Sequence, residues 1–263
     1  MPESRAEWWA GIRDYFNDSL LWFSEEGHPR RERAAVREFL KYLGVDFDDS
    51  ELTIPAQDDD IDVRFRGARF QNVERMDPNR GRHDEVRRLA ERARVVHDVS
   101  ALEMPRRDSV PMGMAELVRE VVRALEKKSR KTTNRASLDA LVHMNFGGRH
   151  LYPPPDVIED DTTAIVQLGW RSVSVLWPPY AAVICAQSTA PTFIRAKTRK
   201  VIRYRGVPWE DTAVPSESWS LAHLASAVGG CFSAVTYVAL GGLVLTARGL
   251  RQAIGTSLDP TAM

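Results

Sequence analysis

A chain of 263 residues can hold one large core, or one domain with an appendage, and is too short for two full-sized domains. Hydrophobic residues make up 43% and charged residues 27%, which argues against wholesale disorder and against a polytopic membrane protein. The 36 Lys and Arg balance 36 Asp and Glu, so there is no global field to capture nucleic acid, and any such binding must come from local patches.

In chain order, Trp8, Trp9, Ile12, Phe16, Leu20, Leu21 and Phe23 recur at mostly three- and four-residue spacing, which predicts a docking helix within residues 1–28. The same residues 1–20 carry Glu3, Glu7, Asp14 and Asp18 and lack the apolar run of a secretory signal, so a cytoplasmic chain is expected. After Gly27 and Pro29, Ala35, Val36, Phe39, Leu40 and Leu43 predict a second helix that Gly44 ends. The acidic stretch 46–60 reads as a loop with a short strand at Leu52–Pro55. Ile61, Val63 and Phe65, a turn at Gly67-Ala68, and the alternation of Phe70, Asn72 and Glu74 with Gln71 and Val73 describe a β-hairpin.

Residues 82–97 and 114–128 read as two helices that cover a sheet, the second with the stripe Leu117, Val118, Val121, Val122 and Leu125. Short apolar runs at 138–146, 164–168, 173–177 and 181–186 predict strands, the last two antiparallel around Pro178-Pro179. This order implies an α/β fold with a mixed sheet and helices on its faces, without the regular alternation of a doubly wound sheet. Trp170 and Trp177 read as core or dimer-interface residues. Cys185 and Cys231 read as packing residues in a reducing compartment.

The segment RAKTRKVIRYR, 195–205, has six basic residues and no acid, and the domain is expected to close there, with 207–217 as a linker. Residues 218–247 then carry no charge except on His223. That run is longer than the ~20 apolar residues a membrane helix needs, and Gly229-Gly230 and Gly241-Gly242 equally suit two buried segments.

Chemistry is expected at the hairpin. Asp62 opens one strand, Gln71 and Glu74 lie on the other, and Glu32 lies on the preceding helix. Oxygen donors of this kind suit Mg²⁺ or Mn²⁺, which activates water and offsets charge on a phosphate under attack. The plainer readings are a solvated helix charge for Glu32 and an acidic loop for Asp62. Arg80 and Arg82 beside His83, and Arg199, Lys200 and Arg203, suit contacts to a nucleic-acid backbone. The alternatives are a solvated helix for the first group and a lipid-facing or solvated segment for the second.

The runs ERAAVREFLKYLGVDFDDSEL, DVRFRGARFQNVERMDPNRGRHDEVR and GWRSVSVLWPPYAAVICA resemble a bacterial family of endonucleases placed in the PD-(D/E)XK superfamily, over roughly residues 20–200. The resemblance implies a restriction-endonuclease-like mixed sheet flanked by helices over 29–206, with 218–263 as a C-terminal apolar extension. It also implies metal ligation by Glu32, Asp62 and Gln71, with catalysis by Asp62, Gln71 and Glu74. The family's lysine falls on Val73, which cannot hold a water or stabilise developing charge. Arg75 or Arg82 is a conceivable replacement.

The expected function is therefore metal-dependent hydrolysis of nucleic-acid phosphodiesters. The alternative is a non-catalytic nucleic-acid-binding or interaction protein on the same scaffold. Expected partners are nucleic acid, DNA ahead of RNA, a second copy of the chain, and an inner membrane contacted through 218–247.

Overall fold

A computed structural model describes residues 5–55, 60–77, 82–96, 110–146 and 148–203. Helices α1 (Arg5–Phe23) and α2 (His28–Tyr42) lead into a hairpin of β1 (Val63–Phe65) and β2 (Ala68–Met76). Then come α3 (Arg82–Val95), β3 (Val110–Met112), α4 (Met114–Ser129), β4 (Asp139–Asn145) and β5 (Arg149–Leu151). The described chain closes with α5 (Thr163–Gln167), β6 (Ser172–Trp177), β7 (Tyr180–Ala186), α6 (Thr192–Arg195) and β8 (Lys200–Arg203).

Six strands form one mixed sheet in the order β1-β2-β4-β6-β7-β8, and β3 pairs with β5 in a small parallel sheet. The β2, β4 and β6 strands are mutually parallel, while the β1/β2, β6/β7 and β7/β8 pairs are antiparallel. Inner strands with a core on each face of the sheet are covered on both sides, and β4 and β6 are accordingly buried along nearly their whole length. The sequence ended α2 at the right place. Gly44, at φ +69°, allows Val45 N–H to reach Leu40 O and Gly44 N–H to reach Lys41 O, which satisfies the last carbonyls of the helix.

The two faces of the sheet hold separate cores. On one, Val36, Phe39 and Leu40 of α2 pack against Val63, Phe65, Phe70, Leu141 and Val183. On the other, Leu117, Val121 and Leu125 of α4 pack against Ala140, Val142, Met144, Val173 and Trp177. Trp170 and Trp177 are both buried, and Trp170 Nε1 donates to Ser129 Oγ at 3.0 Å.

Three expectations need correction. Where a strand was expected over 164–168, Thr163–Gln167 form the helix α5. A five-residue apolar run has no decisive period, and here Asp161 Oδ1 accepts the Thr163 N–H at 2.8 Å, seeding a turn that buries only Ile165. The expected strand at Leu52–Pro55 is reduced to a single bridge between Thr53 and Arg64, after a 3₁₀ turn closed by an Asp48–Glu51 capping box. Helix α3 does not cover the sheet. Its Leu89, Ala90 and Ala93 pack on Trp9 and Phe16 of α1, which uses its apolar stripe elsewhere.

No helix among the described residues is long and apolar enough to cross a membrane. Residues 218–247, the linker and Cys231 lie outside the described residues.

Candidate active site

Strand β1 pairs with β2 only as far as the Val63–Phe70 rung, so from Gln71 onward the outer edge of β2 has no strand from the described residues beside it. Asp62, the residue before β1, takes the place of the next rung. Its own N–H donates to Phe70 O at 2.9 Å, and its Oδ2 accepts the Asn72 N–H at 2.6 Å and Gln71 Nε2 at 2.8 Å. A carboxylate is thereby fixed at the open edge of the sheet by its own backbone and by two donors.

Helix α2 brings Glu32 to the same edge. Asn72 Nδ2 donates to the Glu32 backbone oxygen at 3.2 Å, which ties the second turn of α2 to β2. The Glu32 carboxyl hydrogen-bonds the Asp62 carboxyl, and its Oε1 lies 3.3 Å from His28 Nδ1. Burial, and next the negative charge of Asp62, push the Glu32 pKa up to about 8, against the opposing pull of Lys128 and Arg31. Neutral Glu32 thus donates a proton into the pair at neutral pH, which is how two carboxyl groups tolerate such proximity.

The strand alternation assigns the remaining side chains. Asn72 and Glu74 share the α2 face, where Asn145 Nδ2 donates to Glu74 Oε1 at 2.9 Å and Arg31 lies close enough to interact electrostatically with both Glu74 and Glu32. Arg31 is anchored through NH1 to the Trp22 and Ser24 carbonyls, and burial lowers its pKa from the ordinary arginine value. Gln71, Val73 and Arg75 share the α4 face. Gln71 is buried, and Val73 packs on the α4 core.

The structure therefore brings Glu32, Asp62 and Gln71 together, with Glu74 one residue pair along β2. The register of β2 on β4 is continuous from Phe70 to Met76, so no bulge re-aims Glu74 toward the Asp62 side. Arg75 cannot replace the strand lysine, since its Nε and NH2 bind Glu120 Oε2 at 2.8 and 2.6 Å. Arg80 and the side chain of Arg82 lie outside the described residues. Lys200 and Arg203 stand on β8 at the far edge of the sheet, four strand spacings or about 19 Å from β2. Arg199 is committed to packing, donating to Thr162 Oγ1 at 3.0 Å and to Asp160 O at 3.2 Å.

No group of three or more His, Cys, Asp or Glu side chains among the described residues is placed to hold a metal ion. The site offers two carboxyls and amide oxygens instead. Among the described residues Asn72 Oδ1 is buried without a hydrogen-bond partner, beside Glu32. An unsatisfied amide oxygen next to two carboxyls fits a hard divalent cation that retains much of its water, as Mg²⁺ does.

The sequence reading missed Asn72, Asn145, Arg31 and His28. The alternation of β2 and the i,i+4 spacing of His28 and Glu32 were the available signals.

With this geometry, the chain matches across residues 5–207 a family described as "Putative endonuclease, protein of unknown function (DUF1780)". The chain belongs to the DUF1780 family. No curated protein matches it. Among solved structures, a protein of unknown function from Pseudomonas aeruginosa strain PAO1, described as of the monooxygenase superfamily, aligns with a TM-score of 0.51 at 22% identity. The alignment covers 78% of this chain and 97% of that one, and at this identity the likeness shows the fold alone. The DUF1780 match spans every described element.

Proposed function

We propose that residues 29–206 form a metal-dependent endonuclease domain of the PD-(D/E)XK type that hydrolyses phosphodiester bonds of nucleic acid, DNA ahead of RNA. The observation that carries this reading is the pair of Glu32 and Asp62. Two carboxyls from different elements meet at the one stretch of β2 edge that β1 leaves open, and they share a hydrogen bond. Structural stability alone gives no reason to bring two acids together, since like charges in a partly buried site disfavour ionisation.

Glu32 and Asp62, with Gln71 and Asn72 oxygens, would hold Mg²⁺ or Mn²⁺. Such an ion supplies positive charge that activates a water and offsets charge on the phosphate. Gln71 Nε2 and Asn72 N–H keep Asp62 in one orientation, while Asn72 Nδ2 keeps α2 at the distance that places Glu32. In the reaction, the water oxygen forms a bond to phosphorus and the bond to the leaving sugar oxygen breaks, that oxygen keeping the electron pair. It takes up a proton, and one water proton is lost. Glu74, which stays on the α2 face with Glu32, is an auxiliary ligand in this reading, and Arg80 and Arg82 are assigned to the phosphates.

The test is cleavage of single- and double-stranded DNA and RNA by the full chain, with Mg²⁺, with Mn²⁺ and with chelator. Metal-dependent cleavage that Asp62→Asn abolishes supports the proposal. A folded chain that binds these nucleic acids and cuts none of them would leave the non-catalytic binding protein as the function.

A further inference from the structure

The proposed centre has two acids and a valine, Val73, at the strand position where the resemblance places a lysine. A different lysine, Lys128, stands on α4, the helix that packs against β2. Arg75 on β2 pairs with Glu120 on α4, and Val73 packs on the core that contains Val121 and Leu125, so these contacts set the register between strand and helix. Since β2 and β4 are adjacent and parallel and α4 lies in the connection between them, α4 runs antiparallel to β2. From Glu120, eight residues of helix carry the chain about 12 Å to Lys128. From Arg75, four residues of strand lead back about 13 Å to Gln71. Lys128 and Gln71 are thus level on the same face of the sheet, with the separations of eight on the helix and four on the strand both keeping to that face.

The side chain's surroundings agree. Lys128 is half-buried, and among the described residues its ammonium makes no hydrogen bond or ion pair. It is also the strongest positive charge acting on Glu32, ahead of Arg31. A half-buried ammonium left without a fixed partner, on the helix that covers this end of β2 and close enough to act on Glu32, has the placement a transition-state cation needs.

We propose that Lys128 is the catalytic lysine of the site, delivered from α4 in place of a residue on β2, with its ammonium bound to a non-bridging oxygen of the phosphate under attack. This rests on the nuclease reading. Its role is electrostatic: the ammonium offsets the negative charge that develops as water adds to phosphorus.

The experiment compares the full-length wild type with Lys128→Met and Lys128→Arg. Cleavage is measured alongside Mn²⁺ titration of ¹³C-dimethylated lysines by NMR, the Lys128 signal being assigned by its loss in Lys128→Arg. Lys128→Met, which keeps the aliphatic stem, is expected to cut about 100-fold more slowly or worse while binding Mn²⁺ within a few-fold of wild type, with partial recovery in Lys128→Arg. Mn²⁺ is expected to broaden the Lys128 methyl signal, and Asp62→Asn to abolish that broadening. Equal cleavage by wild type and Lys128→Met overturns the role of Lys128 and leaves the nuclease reading standing. A wild type that cuts nothing overturns the nuclease reading. The broadening tests the placement separately: bound Mn²⁺ that leaves the Lys128 signal sharp overturns it, whether or not the chain is active.

Discussion

Gln71 donates Nε2 to Asp62 Oδ2 at 2.8 Å, so the amide nitrogen of Gln71, rather than its oxygen, stands against the acid. An amide and an acid at this position differ in a measurable way. Gln71→Glu replaces the donor with a third acid facing Asp62. Without metal the variant should be less stable by about 1–3 kcal/mol. Millimolar Mg²⁺ should recover more stability in the variant than in the wild type, as read by urea denaturation with and without the ion.

Glu32 carries a pH prediction whose sign is fixed. Its folded pKa, about 8, lies above that of an unfolded glutamate, so the stability it contributes is fully present below the unfolded value and is lost as pH rises through the folded one. His28, Asp62, Lys128 and Arg31 surround the group. Because the neutral isostere does not titrate, Glu32→Gln should gain stability relative to the wild type as pH rises from the ordinary glutamate value of 4.5 through about 8. Metal binding by the wild type should release protons and tighten across the same window, measurable by calorimetry in buffers of different ionisation enthalpy. A flat stability difference would contradict the placement of Glu32.

Asp139 is buried at the start of β4 and joins three strands. It accepts from Arg69 N–H at 3.0 Å, from Ser172 Oγ at 2.7 Å and from Arg171 Nε at 3.1 Å, with Arg171 NH2 bonded as well. Asp139→Ala strands the largely buried Arg171 and should cost about 3–5 kcal/mol. Arg171→Ala should cost a similar amount for the mirror reason. Each is checked by chemical denaturation.

Gly27 links α1 to α2 with no room for a side chain, because a Cβ there would collide with the backbone oxygens of Leu21 and Trp22. The Trp22 oxygen is also an acceptor for Arg31. Gly27→Ala should destabilise the chain by about 1–3 kcal/mol, and by shifting α2 should weaken metal binding as well. Gly11, where a Cβ meets nothing within 4 Å, is the control in the middle of α1. Gly11→Ala should be neutral or stabilising by up to about 1 kcal/mol. Thermal melts of both variants decide the point.

Much of the scaffold was legible because its signals are local. The stripe of α4, the Gly44 stop of α2 and the alternation of the hairpin each need only a few neighbouring residues to be read. The helix at 163–167 was misread because a five-residue stretch shows no period, and the docking of α3 on α1 was missed because choosing between two apolar surfaces is a tertiary decision. In the site, Glu32, Asp62 and Gln71 could be named from a resemblance. Lys128 could not, since its relevance depends on how far α4 slides along β2, and that is set by the Arg75–Glu120 pair and the packing of Val73. Asn72 was in view in the alternation, yet its orphaned oxygen appears only once α2 is in place.

In the proposed function, Glu32 and Asp62 face each other in order to share a divalent cation. Crystals of the full chain soaked in Mn²⁺ above the pH at which Glu32 loses its proton, with data collected for anomalous scattering, test it most directly. The account predicts one strong peak between the Glu32 and Asp62 carboxyls, within bonding distance of an amide oxygen of Asn72 or Gln71 and absent from Asp62→Asn. No peak there at millimolar Mn²⁺, or a peak that persists unchanged in Asp62→Asn, would contradict it.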